Sequence, residues 1–86
     1  MDIEDSIKRI DEVLAEHNMP KRVRRSIEEV KDELNNEQQD LAVRVTSSIY
    51  SLDDIATDVN LPMHTKTVLW DLIGMLESLK VKGGND

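Results

Sequence analysis

Apolar residues recur every three or four positions through most of the chain, and charged or polar residues fill the positions between them. This spacing is typical of amphipathic α-helices that bury one face. Polar breaks divide the pattern into four predicted helices. The apolar stripes are Ile3, Ile7, Ile10, Val13 and Leu14 in the first helix, Val23, Ile27, Val30 and Leu34 in the second, Leu41, Val45, Ile49, Leu52, Ile55 and Ala56 in the third, and Leu69, Leu72 and Leu76 in the fourth.

The pattern occurs twice in the chain: residues 6–34 and 48–76 match at an offset of 42 positions. Asn18-Met19-Pro20 returns as Asn60-Leu61-Pro62, and the apolar positions of the first two helices return in the last two. A period of this length indicates repeated helical hairpins, each too small to bury its apolar face alone.

Capping residues and polar stretches set the predicted boundaries. Pro20 suits the first turn of the second helix, where its missing N–H costs nothing, and Asp40 suits the N-cap of the third. The fourth helix is predicted from about Met63 to Lys80. The sequence therefore predicts one domain over residues 1–80, with hairpins at about 3–35 and 40–80 and a flexible tail at 81–86.

Short connections within each hairpin make its two helices antiparallel neighbours. The predicted fold is therefore all-α, an antiparallel four-helix bundle built from two pseudo-repeated helical hairpins. The alternative is a two-unit HEAT-like stack, because the tract Asp40-Leu41-Ala42-Val43-Arg44 resembles the start of a HEAT helix. The bundle is favoured because a solenoid normally needs three or more repeats, whereas a bundle closes on itself.

Composition narrows the class of protein. The 86 residues carry a net charge of −7, which disfavours bulk attraction to nucleic acid or anionic lipid. The chain has no Cys and no Phe, so disulfides and thiolate metal sites are excluded and the core must be aliphatic. No apolar run approaches a membrane span. We expect an acidic, cytoplasmic protein with no membrane partner, stabilised in part by self-association.

The fourth helix is apolar around more of its circumference than the second, and this difference between the two copies marks a candidate interface. Val68 and Met75 widen the apolar sector on one side, Ile73 widens it on the other, and Trp70 lies well away from its centre. We predict a homodimer or protein-partner interface anchored by Trp70. The alternative is that the fourth helix is simply more central in the fold.

A basic cluster distinguishes the second helix. Lys21, Arg22, Arg24 and Arg25 crowd its first turns, where cations oppose the helix dipole. Such a patch would suit a phosphate or an acidic partner. The plainer interpretation is pairing with neighbouring carboxylates, and the segment has no aromatic residues for stacking on bases.

No catalytic or metal-binding signature accompanies these surfaces. Neither His17 nor His64 has an acidic residue three positions earlier, as a dimetal bundle site would need. The serines lack an activating partner in the sequence pattern. Gly74 alone interrupts a helix, and its cost of about 1 kcal/mol against Ala predicts a close helix approach there. We expect no enzyme activity, no cofactor and no metal.

Three tracts together resemble a family of small archaeal helical proteins known only as an uncharacterised family. They are Met19-Pro20-Lys21-Arg22-Val23-Arg24-Arg25, Asp40-Leu41-Ala42-Val43-Arg44-Val45, and the stretch 61–70 with the pattern Leu-Pro-x-His-x-x-Thr-x-x-Trp. The resemblance covers roughly residues 3–79 and implies an archaeal, cytoplasmic four-helix protein. It brings no assigned activity and no catalytic or binding residues.

The sequence leaves the biochemical function unknown and favours a non-enzymatic protein–protein interaction module that self-associates through the fourth helix. The alternative is an RNA- or ribosome-associated accessory factor that uses the basic patch of the second helix. Association that is insensitive to salt would favour the first class, and salt-sensitive RNA binding would favour the second.

Overall fold

A computed structural model describes residues 3–16 and 18–84 and contains four α-helices in that part of the chain. They are α1 (Ile3–Leu14), α2 (Lys21–Leu34), α3 (Leu41–Ala56) and α4 (Met63–Gly84). Among the described residues there is no β-strand. The prediction of an all-α fold is therefore confirmed.

The helix ends follow the predicted signals with small shifts. Pro20 lies at the N-cap position with φ −57°, one residue before α2 rather than inside its first turn. Asp40 occupies the N-cap position of α3, but its side chain makes no capping hydrogen bond. The last helix continues to Gly84, four residues beyond its predicted end at Lys80. Residues 85 and 86 of the predicted tail lie outside the described residues.

Each helix packs against two others. Helix α1 contacts α2 and α4, α2 also contacts α3, and α3 also contacts α4, whereas the described residues bring neither α1 to α3 nor α2 to α4. The molecule measures 38 × 19 × 19 Å. Its width is about that of two helices packed side by side at 8–10 Å.

The core is aliphatic, as the composition requires. Most predicted stripe positions are buried, but Leu41 is 46% exposed because it is the first residue of α3 and lies at the outer end of its stripe. Ile55 is half-buried at the edge of the core. The buried apolar side chains are Ile10, Val13, Val23, Ile27, Val30, Leu34, Val45, Ile49, Leu52, Ala56, Leu61, Leu69, Leu72 and Leu76.

Three hydroxyl side chains are enclosed in this apolar interior. Ser6, Ser48 and Thr65 are each almost fully buried, and their hydroxyl oxygens make no hydrogen bond to any described residue. A buried hydroxyl without a partner costs about 1–3 kcal/mol. These three positions are therefore the polar exceptions in the packing of the described core.

The described helices also bear on membrane insertion. None of them, over the part of the chain that the structure describes, combines the length and the apolar character that crossing a membrane requires.

Candidate functional site

Trp70 is the exposed member of the predicted α4 interface. Its side chain is 64% exposed, whereas Val68, Ile73 and Met75 are half-buried and pack against the core. At about 100° per residue, Val68 and Ile73 are about 140° apart around α4, and so are Trp70 and Met75. The four residues therefore do not form one patch: Ile73 lies beside Trp70, and Val68 and Met75 lie on the opposite flank of the helix.

A groove runs between α3 and α4 at Trp70. It encloses about 520 Å³ and is open to solvent. Helix α4 contributes an aromatic ring, an aliphatic side chain and one cation, and α3 together with the residue that follows it contributes two small residues and one carboxylate. The lining residues are Asp53, Ala56, Thr57, Lys66, Trp70 and Ile73.

The surface next to Trp70 along α4 is also open. Met63, two turns earlier, is 76% exposed, and Gly74, one turn later, is exposed as well. A Cβ atom added at Gly74 would meet nothing within 4 Å. The predicted close helix approach at Gly74 is therefore wrong, since no described residue outside α4 comes near it.

Helix α3 carries a second exposed surface that sequence reasoning missed. Tyr50 is 68% exposed and lies beside a shallow concavity lined by Ala42, Val43, Thr46, Ser47 and Tyr50, none of which is charged. A run of uncharged residues from Thr46 to Leu52 was the available signal. It was obscured because the same run also supplies buried positions.

The predicted basic cluster is divided between two roles. Arg24 turns towards the end of α1, where its guanidinium donates hydrogen bonds to the main-chain carbonyls of Leu14 and Glu16. The last carbonyls of a helix have no partner within the helix. Arg24 therefore caps α1 from the neighbouring helix instead of facing a ligand.

Arg22 pairs with a carboxylate of the α3–α4 connection, Asp58. The pKa of Asp58 lies below its ordinary value of 3.8, first because its carboxylate accepts the backbone N–H of Asn60 at 2.8 Å, and then because of the charges of Arg22 and Lys66. Partial desolvation of the carboxylate works in the opposite direction. This ion pair joins the start of α2 to the connection between α3 and α4.

The rest of the basic cluster lines a concavity on α2. Lys21, Arg22 and Arg25 surround it together with Ser26, and it encloses about 400 Å³. Three of the four predicted patch residues are therefore brought together, and Arg24 is separated from them by its capping role.

Two other arginines tie helices to one another. Arg44 at the start of α3 donates from Nε to the carbonyl of Gln39 at 3.0 Å and from Nη1 to the carbonyl of Leu34 at 2.9 Å. Arg9 of α1 donates to Asp71 of α4 at 3.1 Å and to Glu12 at 3.2 Å. These contacts raise the pKa of Arg9, with the Asp71 hydrogen bond as the first cause.

The described residues contain no cluster of three or more His, Cys, Asp or Glu side chains that could hold a metal ion. His64 is exposed in the first turn of α4. His17 lies outside the described residues.

Comparison with known proteins gives consistent matches along almost the whole chain. The model of an uncharacterised protein family, UPF0147, matches residues 1–79. The UPF0147 protein of Methanosarcina acetivorans is 40% identical over 79 residues, covering 92% of this chain and 81% of that protein. The UPF0147 protein of Pyrococcus abyssi is 36% identical over 84 residues, covering 92% of this chain and 98% of that protein.

A solved structure is also similar to this chain. It is described as "Crystal structure of unknown function protein MMP1188", and it superposes with a TM-score of 0.80 at 33% sequence identity. The match covers 88% of this chain and 86% of that one. The family has no assigned catalytic function, and the names of these relatives state no activity, ligand or partner.

Proposed function

The chain belongs to the uncharacterised protein family UPF0147, and we propose that it works as a non-enzymatic protein–protein interaction module that self-associates through α4. The observation that carries this proposal is Trp70, a large apolar side chain held 64% exposed beside an open groove. Trp is enriched among the residues that dominate binding energy at protein interfaces. A half-buried Ile73 continues the apolar surface into the groove.

Part of the proposal is the architecture that presents this surface, an up-and-down antiparallel bundle of two pseudo-repeated hairpins. The cyclic order of helix contacts supports it, because a two-unit HEAT-like stack would pack α1 on α3 and α2 on α4. Burial also follows the offset of 42 positions. Each of these pairs of equivalent positions is buried in both copies: Ser6 and Ser48, Ile10 and Leu52, Val23 and Thr65, Ile27 and Leu69, Val30 and Leu72, and Leu34 and Leu76.

A cytoplasmic location is also part of this proposal. The chain contains no Cys, which suits a compartment where disulfides do not form. Fractionation of native cells with an antibody against the protein tests this location, and recovery in the membrane or external fraction would contradict it.

The test of the interaction module is a comparison of two exposed aromatic residues. Sedimentation velocity over about 10 µM to 1 mM should show concentration-dependent association of the natural chain. Trp70→Glu should shift the protein to monomer, because it places a charge where an apolar anchor packs. Tyr50→Glu, equally exposed but on α3, is the matched control and should leave association unchanged. A natural chain that stays monomeric throughout this range would refute self-association.

A second candidate function is RNA or ribosome association, favoured by the concavity that Lys21, Arg22 and Arg25 share. Fluorescence anisotropy with a single-stranded RNA should then show affinity that falls steeply with salt. Reversal of Arg25 to Glu should abolish binding. Arg25 is the cleaner choice because Arg22 also pairs with Asp58. Unchanged binding in Arg25→Glu, or no dependence on salt, would eliminate this candidate.

A further inference from the structure

One face of α4 points away from the rest of the described chain. We call it the outer stripe and define it by the exposed or half-exposed residues that share this face at helical spacing. Its centre runs through Met63, Trp70 and Gly74, which are all exposed. The full set is Met63, Lys66, Thr67, Trp70, Gly74, Glu77 and Ser78.

No contact among the described residues explains why position 74 is Gly. Gly in a helix interior is about 1 kcal/mol less favourable than Ala, and the space where its Cβ would stand is open. Gly74 lies one turn from Trp70, so the two residues are neighbours on the helix surface. The stripe therefore places the large apolar side chain of Trp70 beside the exposed helix backbone at Gly74.

We infer that a second copy of this chain covers the outer stripe by laying its own α4 antiparallel against it, with the two-fold axis near position 72. This inference rests on the proposed self-association through α4 and adds its register. Residues on the same flank of the helix and at nearly equal distances before and after position 72 then lie opposite each other. Trp70 of each chain packs over the backbone that Gly74 of the other chain leaves open, twice by symmetry.

The flanks of the stripe match under the same operation. Lys66 and Glu77 are eleven residues apart and so lie within about 20° of each other around the helix, and the same holds for Thr67 and Ser78. A two-fold axis in the interface plane brings each flank against the same flank of the partner. Lys66 therefore faces the partner's Glu77 on one side, and hydroxyls face hydroxyls on the other.

Charge explains why a second copy fits this face. The chain carries a net charge of −7, so two copies repel each other over most surfaces. The outer stripe holds one cation and one carboxylate, placed so that self-pairing brings opposite signs together. The other five residues of the stripe are uncharged, and the carboxylate of Asp53 lies across the groove on α3.

The size of the stripe sets the expected strength. From Met63 to Ser78 a helix rises about 23 Å, and a contact strip about 10 Å wide gives a few hundred Å² per partner. A stable interface buries about 800 Å² per partner. The contact is therefore expected to be weak, with dissociation at micromolar or higher concentrations.

The experiment uses charge reversal and mixing. In Lys66→Glu, each homodimer would face two carboxylate pairs, and in Glu77→Lys two ammonium pairs, so each variant alone should associate about threefold to tenfold more weakly. A mixture of the two variants restores opposite charges at both contacts of a heterodimer. Sedimentation equilibrium of the mixture should therefore recover the association of the natural chain.

Gly74→Gln provides an independent readout. Gln is a good helix former and its side chain enters open space, so the thermal unfolding temperature should rise. The same side chain occupies the place of the partner's Trp70, so association should fall about tenfold or more. A folding defect cannot produce this combination, because the fold is stabilised while the contact is lost.

The outcomes separate the inference from the proposal beneath it. If Trp70→Glu abolishes association but mixing the charge variants restores nothing, the antiparallel register is wrong and self-association through α4 stands. If Tyr50→Glu abolishes association and Trp70→Glu does not, the contact lies on α3 and both fail. If the natural chain is monomeric at about 1 mM, both fail as well.

Discussion

Replacement of Arg44 by Met tests how the helices of this chain are joined. Arg44 stands at the start of α3, and its guanidinium donates to the carbonyl of Leu34, the last residue of α2, at 2.9 Å. It also donates to the carbonyl of Gln39 in the connection at 3.0 Å. The end of α2 is thus closed by a side chain from the following helix, and Met would keep much of the side-chain volume while removing both donors.

The expected loss follows from those two contacts. A hydrogen bond to a charged group contributes about 1.5–3 kcal/mol when shielded from water, and Arg44 is only half-buried. We therefore expect Arg44→Met to lower the free energy of unfolding by about 2 kcal/mol in total. Arg44→Lys should lower it by about 1 kcal/mol, because the cation remains near the negative end of α2 but the two-pronged donor is lost.

Urea denaturation followed by circular dichroism measures the difference, provided that the slope of free energy against urea stays constant. The midpoint temperature of thermal unfolding should fall by about 4–8 °C for each kcal/mol of unfolding free energy lost in a domain of this size. Arg25→Met is the matched control, because Arg25 is exposed on α2 and should stay within about 0.5 kcal/mol of the natural chain. An Arg44→Met protein as stable as the control would refute the capping role.

Two further predictions concern single polar groups. Thr65→Val should raise the free energy of unfolding by about 1 kcal/mol in urea denaturation, because it removes a buried hydroxyl that no described residue satisfies. Thr67→Val, which removes an exposed hydroxyl, is the control and should not raise it. Equal effects at both sites would contradict the reasoning. Asp58→Asn should destabilise the chain at neutral pH. Folding lowers the pKa of the Asp58 carboxylate, so the ionised group stabilises the fold at pH values above its unfolded pKa of 3.8. That contribution is lost as the pH falls through the folded-state pKa. The two unfolding curves should therefore converge in acid, and a difference that persists there would show that the charge is not the cause.

The helices and most of the core were predictable because burial in this chain follows a simple period. Positions such as Ile27 and Leu69 are spaced for one helical face, and each is fully buried. Leu41 shows the limit of the method. It fits the stripe of α3 but lies at the first residue of the helix, and periodicity carries no information about where a stripe stops being covered.

The groups of the candidate site were less predictable, because their roles depend on contacts distant in sequence. The sequence placed Arg24 in a basic patch, whereas the structure turns it onto the carbonyls of Leu14 and Glu16. The prediction at Gly74 failed for a related reason. A helical Gly is consistent with a close approach, but periodicity does not show whether anything approaches it, and no described residue outside α4 lies within 4 Å of where its Cβ would stand.

The three connections between helices are stabilised by two different kinds of contact, and the third connection is the one that lies beside the groove. Arg24 reaches back ten residues to Leu14, and Arg44 reaches back ten residues to Leu34, so α1 and α2 end on equivalent guanidinium caps. At the connection after α3, charge pairing takes a different form: Asp58 accepts the N–H of Asn60 and binds Arg22 across the fold.

That third connection lies next to the groove, since Thr57 precedes Asp58 and Lys66 lies close enough to lower its pKa. An exposed ion pair is screened by salt, whereas a cap on main-chain carbonyls is screened less. The contact between Arg22 and Asp58 should therefore weaken as ionic strength rises and as pH falls through the lowered pKa of Asp58.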